Sequence, residues 1–344
     1  MTTTPSMTDL PFPPLERVVE STIPREEAGS TLLEYLCRRY DYLKEEQWLE
    51  QIALGNLEIN GAAAGAGHIL SAGDRLFFQA LGLKEQEVSW DVSVVARTAD
   101  YVIVNKPANL PCHPAGRFFN HTLWAWLKQV AGMESIHFVN RLDRETSGLV
   151  LVACSPAFAA QAAKYLHAHG DASRKTYQVM VHGRTPQLPF TADGWIGADP
   201  SARVAKKRRF IPICNDGDSD NVQAPDDLDA QPCCTDFIPR GHFSFDDSTG
   251  KFRPDDRGSL TLLEAILHTG RIHQIRATLC SLGYPVVGDK IYGLDEGLFL
   301  KFAYAELEEE DRRRLLLPHQ ALHAWRLEIP ALRISAQCPV PWLE

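Results

Sequence analysis

At 344 residues the chain is long enough to bury a sizeable core and to hold two domains, one of them large. Its 44% hydrophobic and 23% charged residues are ordinary for a globular protein, and no apolar run approaches the ~20 residues that cross a bilayer. The formal net charge of −9 argues against a protein that coats nucleic acid indiscriminately, while leaving room for a local basic cleft. Residues 1–24 are rich in Thr, Ser and Pro and lack periodicity, which predicts a flexible tail. They also lack the basic start and apolar core of a secretory signal. The eight cysteines include no Cys-x-x-Cys pair, and Cys233-Cys234 are adjacent, a poor geometry for one zinc. Free thiols in such a chain suit a reducing compartment, so a cytoplasmic protein with no metal is expected.

From Pro24 the character changes. Ser30-Thr31-Leu32-Leu33-Glu34-Tyr35-Leu36 starts a helix, with Ser30 or Thr31 as N-cap, and a second helix covers about Glu45–Leu54, stopped by Gly55. Leu57-Glu58-Ile59-Asn60-Gly61 alternates and turns at Asn-Gly, a hairpin signal. Ser71-Ala72-Gly73-Asp74 is a turn into the strand Arg75-Leu76-Phe77-Phe78. This order of elements over residues 25–83 resembles the S-four-type RNA-binding domain, a small α/β module. Such domains usually carry basic residues on the second helix, whereas Lys44-Glu45-Glu46 and Glu50 make this one acidic. A packing or positioning role is therefore weighed equally with RNA binding.

Residues 84–98 read as a link to a second domain at 90–344. Tyr101–Lys106 is a strand stopped by Pro107, and Leu110–Gly116 is loop. His121–Leu127 begins an amphipathic helix whose tryptophans are read as core. Ser155-Pro156 caps a helix running to about His169, with Gly170 as its stop. Arg174–Val181 is a strand, and Lys206-Lys207-Arg208-Arg209 is the densest basic run, a solvated patch or an RNA contact. Residues 212–258 read as an acidic insertion, with an Asp-rich stretch from Asn215 to Ala230. Ser259–Leu267 is a strand, turned by Thr269-Gly270 into a helix over Arg271–Leu282. Strands and helices mix without a steady β-α-β beat, so an α+β domain with a mixed or antiparallel sheet is expected.

Three segments can carry chemistry. Asn140-Arg141-Leu142-Asp143-Arg144-Glu145-Thr146-Ser147-Gly148 is a polar loop leading into the apolar strand Leu149–Ala153, and it presents Asp143 between two arginines that favour its ionised form. Lys175 and Tyr177 are two apart on a strand and share one face. His273 and Arg276 are three apart and share one side of a helix. Singly, each has a bland reading: a turn-capping Asp, a core Tyr, a solvated Arg.

Together they resemble the RluA-type pseudouridine synthases. Asn140-Arg141-Leu142-Asp143-Arg144-Glu145-Thr146-Ser147-Gly148-Leu149 looks like the family's His-Arg-Leu-Asp-x-x-Thr-Ser-Gly-Leu motif, and Lys175-Thr176-Tyr177 is similar to its Lys-x-Tyr strand. Gly270–Arg276 and Gly283–Gly293 resemble its third signature, with lesser landmarks at Asn105-Lys106-Pro107 and Leu322-His323-Ala324. The resemblance covers about residues 90–340. It implies a pseudouridine synthase fold, with flanking helices and a central cleft, and an isomerisation: a uridine of rRNA or tRNA is detached at nitrogen, rotated and rejoined through carbon 5. It implies Asp143 as the essential carboxylate, either attacking the anomeric carbon or removing a sugar proton. It implies Tyr177 stacked on the base, Arg276 paired with Asp143, Leu279 on the apolar wall, and Arg141 filling the gap left by the flipped nucleotide. Lys175, His273, Lys206, Lys207, Arg208 and Arg209 are candidate RNA contacts. No cofactor, metal or membrane is implied, and a monomer is expected.

Two positions depart from the family pattern: Asn140 stands where His is usual and Ile272 where Thr is usual. Two other readings compete. A catalytically idle RNA-binding or ribosome-assembly protein need not keep Asp143, Tyr177 and Arg276 together. A glycosidase-like hydrolase needs a second carboxylate near Asp143, for which Glu145 is the close candidate.

Overall fold

The computed structural model describes residues 10–40, 42–79, 83, 85–116, 118–167, 173–213, 229–303 and 307–343. The chain divides into two units: the described residues up to Trp90 with Leu110–Glu134, and Asp91–Asn109 with the residues from Ser135 onward. In the first unit, α1 (Leu32–Arg39) opens at Thr31, whose hydroxyl accepts from Glu34 N while the Glu34 carboxylate accepts from Thr31 N, a capping box. With α2 (Glu45–Ala53) it covers a sheet of β1 (Val18–Thr22), β2 (Leu57–Ile59), β3 (Ala62–Ala63) and β4 (Arg75–Gln79), ordered β1-β4-β2-β3. Leu32, Tyr35 and Leu36 pack with Trp48, Leu57, Ile59 and Phe78 in its core. Asn60 and Gly61, at φ 53° and 81°, make the tight turn that joins β2 to β3.

Two expectations change here. The tail predicted over residues 1–24 contains β1, which pairs antiparallel with β4 from Val18↔Gln79 to Thr22↔Arg75. Its alternation of Val19 and Ser21 against Val18 and Glu20 is too short and too polar to stand out. The helix read at His121–Leu127 is α3 (Leu123–Gln129), and it belongs to this unit rather than to the catalytic one. The reason is local: the Glu85 carboxylate accepts from the backbone N–H groups of Phe119, Asn120 and His121 at 2.7, 2.8 and 2.9 Å.

The second unit is built on a twelve-stranded sheet among the described residues. Its strands are β5 (Ser93–Arg97), β6 (Tyr101–Lys106), β7 (His137–Phe138), β8 (Ser147–Ala153), β9 (Arg174–His182), β10 (Phe190–Ala198), β11 (Arg208–Pro212), β12 (Gln231–Asp246), β13 (Lys251–Pro254), β14 (Leu260–Leu267), β15 (Leu322–Ile329) and β16 (Ile334–Gln337). The main order is β11-β10-β12-β14-β9-β15-β8-β6-β5, antiparallel except for the β15–β8 pair, so the sheet is mixed. Helices α4 (Pro156–His167), α5 (Gln274–Ser281), α6 (Gly297–Ala303) and α7 (Glu309–Leu315) accompany it, and the α+β class stands. Among the described residues no helix is long and apolar enough to cross a membrane.

The link expected at 84–98 contains β5, an edge strand paired with β6. The insertion expected at 212–258 is in its second half part of the sheet, since β12 pairs with β10, β13 and β14. Cys233, Thr235 and Phe237 alternate inward along it, a pattern hidden in the sequence by Pro232, Pro239 and many polar residues. The Asp-rich residues 214–228, and Gly170 after α4, lie outside the described residues.

Register explains why the chemical segments meet. Ala324 of β15 pairs with Tyr177 of β9 on one side and with Gly148 of β8 on the other. The loop holding Asp143, five residues before Gly148, is thus delivered beside Tyr177. Gly148 has φ 114°, and a Cβ there would lie 2.3 Å from the Ala324 carbonyl oxygen. Gly148→Ala should therefore destabilise the protein by about 2 kcal/mol or more, from backbone strain and overpacking together. Urea denaturation followed by tryptophan fluorescence checks this, and a midpoint equal to that of the unaltered protein would refute the close approach.

Candidate active site

The loop before β8 is fixed from several directions. Asn140 spans it: its Nδ2 donates to the Leu149 carbonyl at 3.1 Å and its Oδ1 accepts from Leu151 N at 2.8 Å. This gives the departure at Asn140 a clear task, holding the loop to the strand. The Lys106 ammonium, fully buried, donates to the Arg144 carbonyl at 3.3 Å and to the Pro107 carbonyl at 2.8 Å. Gln320 donates to the Thr146 hydroxyl, and Lys290 donates to Glu145 Oε1 at 2.7 Å. Glu145, the carboxylate that a hydrolase would need, is thus engaged by Lys290 rather than turned to Asp143. Burial alone would raise its carboxyl, but His319 and Lys290 hold it below the usual range.

Arg276 is the centre of the charge arrangement. Its Nε and Nη2 donate to Asp289 at 2.6 and 2.9 Å, a two-pronged contact, and its Nη1 donates to Asp143 Oδ2 at 2.7 Å. Asp289 is fully buried, and its Oδ1 also accepts from Ile291 N and Tyr292 N at 2.9 and 3.0 Å. Burial pushes the Asp143 carboxyl up, but the Arg276 guanidinium outweighs it and keeps Asp143 ionised below the usual carboxylate range. The same guanidinium holds Asp289 ionised against its burial. His273 Nε2 lies 3.9 Å from Asp143 Oδ2. Both neighbours therefore lie on the Oδ2 side of the carboxylate.

These groups line a cavity of about 80 Å³ with Arg141, Leu142, Asp143, Thr146, Tyr177, Leu267, Arg271, His273, Gln274, Ile275, Arg276 and Leu322. At ~10–15 Å³ per enclosed water centre, that is room for several waters or for one flat ring. A half-buried ionised carboxylate, an aromatic ring and an apolar wall around such a space suit a planar base. Residues 100–281 match the RNA pseudouridylate synthase family. The chain belongs to that family. An RNA pseudouridine synthase of Synechocystis is 28% identical over 76% of this chain and 79% of its own. The ribosomal large subunit pseudouridine synthase D of Nitrosomonas europaea is 26% identical over 91% of this chain and 81% of its own. The fold is shared with human RNA pseudouridylate synthase domain containing 1, at a TM-score of 0.51 and 24% identity over 73% of this chain and 84% of that one. As an RNA pseudouridine synthase, the protein isomerises uridine within RNA, and nothing favours the idle alternative.

Of the residues expected at the synthase site, Asp143, Arg141, Tyr177, His273 and Arg276 meet at the cavity, and Arg141 is exposed at its edge. Leu279 does not line it: the side chain is fully buried one helical turn beyond Arg276, and the apolar wall is Leu142, Leu267, Ile275 and Leu322 instead. Lys175 is also outside, because its ammonium donates to the Leu166 carbonyl at the end of α4 at 3.3 Å. The basic run splits. Lys206 lies 4.4 Å over the Phe299 ring, Lys207 pairs with Glu296 at 2.8 Å, the Arg208 backbone N–H donates to the Tyr292 hydroxyl at 2.7 Å, and Arg209 is exposed. Ile272 is 63% exposed, so that departure touches no chemical group.

The helix predicted from Arg271 begins instead at Gln274. His273 adopts φ 57°, ψ 20°, while the Gln274 side chain accepts from Arg271 N and the Thr269 hydroxyl. Asp289, Tyr292 and Gln274 were given no role by the sequence reading, although each sits in a quoted signature. The signal available was their density of polar residues beside short apolar runs, which does not say what they touch. Among the described residues no group of His, Cys, Asp and Glu is placed to hold a metal.

The pairing predicts a pH effect. Asp143 is depressed, so its ionised form is intact above the ordinary carboxyl value of about 3.9 and is lost only as pH falls through a lower one. In Arg276→Gln the main opposition to burial is gone, and on the proposed role of Asp143 the acid limb of the rate profile should move upward. Removing the charge should also destabilise the fold by about 3–5 kcal/mol, since two carboxylates lose their partner. Rates of folded protein measured from pH 4 to 8 decide, and an unmoved acid limb would sink the pairing.

Proposed function

We propose that Asp143 is the reacting carboxylate of the isomerisation and that it acts through Oδ1. The observation that carries this is the three-point hold of Arg276, which fixes Oδ2 and keeps the group ionised. Oδ1 either attacks the anomeric carbon of the ribose or removes its 2′ proton, and both routes release uracil within the cavity. The uracil turns and its carbon 5 bonds to the anomeric carbon. In the first route this displaces the Asp143 ester, and in the second it is accompanied by return of the 2′ proton from Asp143. The proton lost from carbon 5 is balanced by one gained at the released nitrogen. Tyr177, 8% exposed, provides the flat surface on which the base stacks, with Leu142, Leu267, Ile275 and Leu322 closing the apolar side. A base inside a helical stack cannot enter such a space, so the nucleotide is flipped out at a cost of a few kcal/mol. Arg141, exposed at the cavity edge, fills the vacated position in the RNA.

A hydrolytic alternative needs an uncharged acid beside the carboxylate. The neighbouring carboxylates do not offer one, because Asp289 is held ionised by Arg276 and Glu145 by His319 and Lys290. The substrate is a structured rRNA or tRNA. Ribosomal RNA is favoured, because the match to the Nitrosomonas large-subunit enzyme runs through 91% of this chain. The N-terminal unit is read as an S-four-type module that positions RNA, with α2 turned to packing since Glu45, Glu46 and Glu50 would repel phosphate. Free thiols favour the cytoplasm as its location.

Asp143→Asn keeps shape and removes the charge. It should lower pseudouridine formation by at least about 10³-fold while leaving RNA affinity within about threefold. Chromatography of nucleosides from a treated rRNA fragment, with filter binding in parallel, measures both. Retained activity in that variant would overturn the assignment of Asp143.

A further inference from the structure

His273 sits beside the reacting carboxylate in a conformation that side chains rarely take. Its φ of 57° and ψ of 20° are left-handed, which costs roughly 1–2 kcal/mol outside glycine. Helix capping does not explain this: His273 makes no side-chain cap bond, and Gln274 serves the Arg271 N–H instead. What the conformation achieves is a placement. Nε2 comes to 3.9 Å from Asp143 Oδ2, and Nδ1 comes to 2.9 Å from the Tyr292 hydroxyl.

The proton positions follow from the partners. The Tyr292 oxygen accepts the Arg208 backbone N–H at 2.7 Å, which leaves its own hydrogen available to Nδ1 at 2.9 Å, and we take Nδ1 as the acceptor of that pair. An imidazole accepting at Nδ1 carries its hydrogen at Nε2, the nitrogen beside Asp143. Tyr292 is itself locked: it is 1% exposed, its ring meets the His273 ring edge-on at 5.5 Å, and the Arg276 guanidinium lies 4.9 Å over it.

We propose that His273 is a positioning residue for the isomerisation, a neutral imidazole fixed as the Nε2–H tautomer by Tyr292 and the Arg208 main chain, which offers a donor to the Oδ2 edge of Asp143 and to the ribose seated against it. Neutrality matters here. Arg276 already supplies a full positive charge to Oδ2, and a second cation would hold the carboxylate so firmly that its nucleophilicity falls. A neutral donor steers the carboxylate without that penalty. Burial and the Arg276 charge push the His273 imidazole down to about 4, in keeping with an uncharged ring at neutral pH. The arrangement also joins the basic strand β11 to the centre through a main-chain bond that, proline apart, no substitution at Arg208 removes.

The proposal rests on Asp143 being the reacting group, so its test has a readout independent of activity. Long-range proton–nitrogen spectra of histidine-labelled protein at pH 7, with the His273 signals assigned by their loss in His273→Gln, should show Nε2–H and bare Nδ1. An Nδ1–H ring or an imidazolium there would overturn the proposal whatever Asp143 does. In single-turnover assays His273→Ala should slow the reaction by about 10-fold or more, the worth of a hydrogen bond that closes from 3.9 Å once the ribose is seated, with RNA affinity within about threefold. His273→Gln, which keeps a donor, should recover most of that rate. Tyr292→Phe should slow the reaction, and His273→Ala with Tyr292→Phe should be no slower than His273→Ala alone. Additive losses, or a Tyr292→Phe variant at full speed, would also overturn it.

Discussion

Everything at the centre depends on one guanidinium serving two carboxylates. Arg276 is 5% exposed and Asp289 not at all, and burying such ions costs several kcal/mol each before any attraction is counted. The cost is offset because each of the three guanidinium nitrogens donates, two to Asp289 and one to Asp143, and two backbone N–H groups complete Asp289. An apolar trio of similar volume would stabilise the fold at least as well. On the proposed role of Asp143, the charges serve the reaction rather than the stability of the fold. Asp289 occupies the paired edge of Arg276 and leaves only Nη1 for Asp143. Without it, Arg276 could take Asp143 in a two-pronged grip and quench both of its oxygens.

A carboxylate so held is useful only if its loop does not move. The loop before β8 is surrounded by cations and amides that reach its backbone: Lys106 on the Arg144 carbonyl, Asn140 on β8, Gln320 on Thr146, and Lys290 on Glu145. These supports come from β6, from the loop itself, from the segment between α5 and α6 and from the segment after α7, so the position of Asp143 is determined by several elements together. Gly148 makes this possible by letting β8 meet β15 at a distance no side chain would allow.

Much of this was legible in the sequence where a residue's role is local. The loop-to-strand pattern at Asp143, the capping box at Thr31 and the Asn60-Gly61 turn depend on neighbours a few residues away, and they fold as read. The resemblance placed Tyr177 and Arg276 at the same site. What could not be read is what long-range packing decides. Leu279 is apolar on the right side of α5, yet it lies one turn too far along. Lys175 shares strand parity with Tyr177, yet its long side chain turns to the end of α4. The strand β12 looked like an insertion, because its inward alternation of Cys, Thr and Phe is interrupted by prolines, and only pairing with β10 and β14 makes it a strand.

The remaining question is how a chain of net charge −9 holds a polyanion. The overall field opposes approach, so affinity has to come from cations close to the cavity. Arg141 and Arg271 line it, and Lys206 lies over Phe299 near enough for Asp143 and Arg276 to influence its ionisation. Each phosphate neutralised steepens the loss of binding with salt. On the proposed site, an RNA would be held firmly only when its phosphates straddle the cavity and one nucleotide can leave the stack. Net negative charge would then discourage indiscriminate adsorption, while a small basic rim would make the flipped geometry the favourable way to bind.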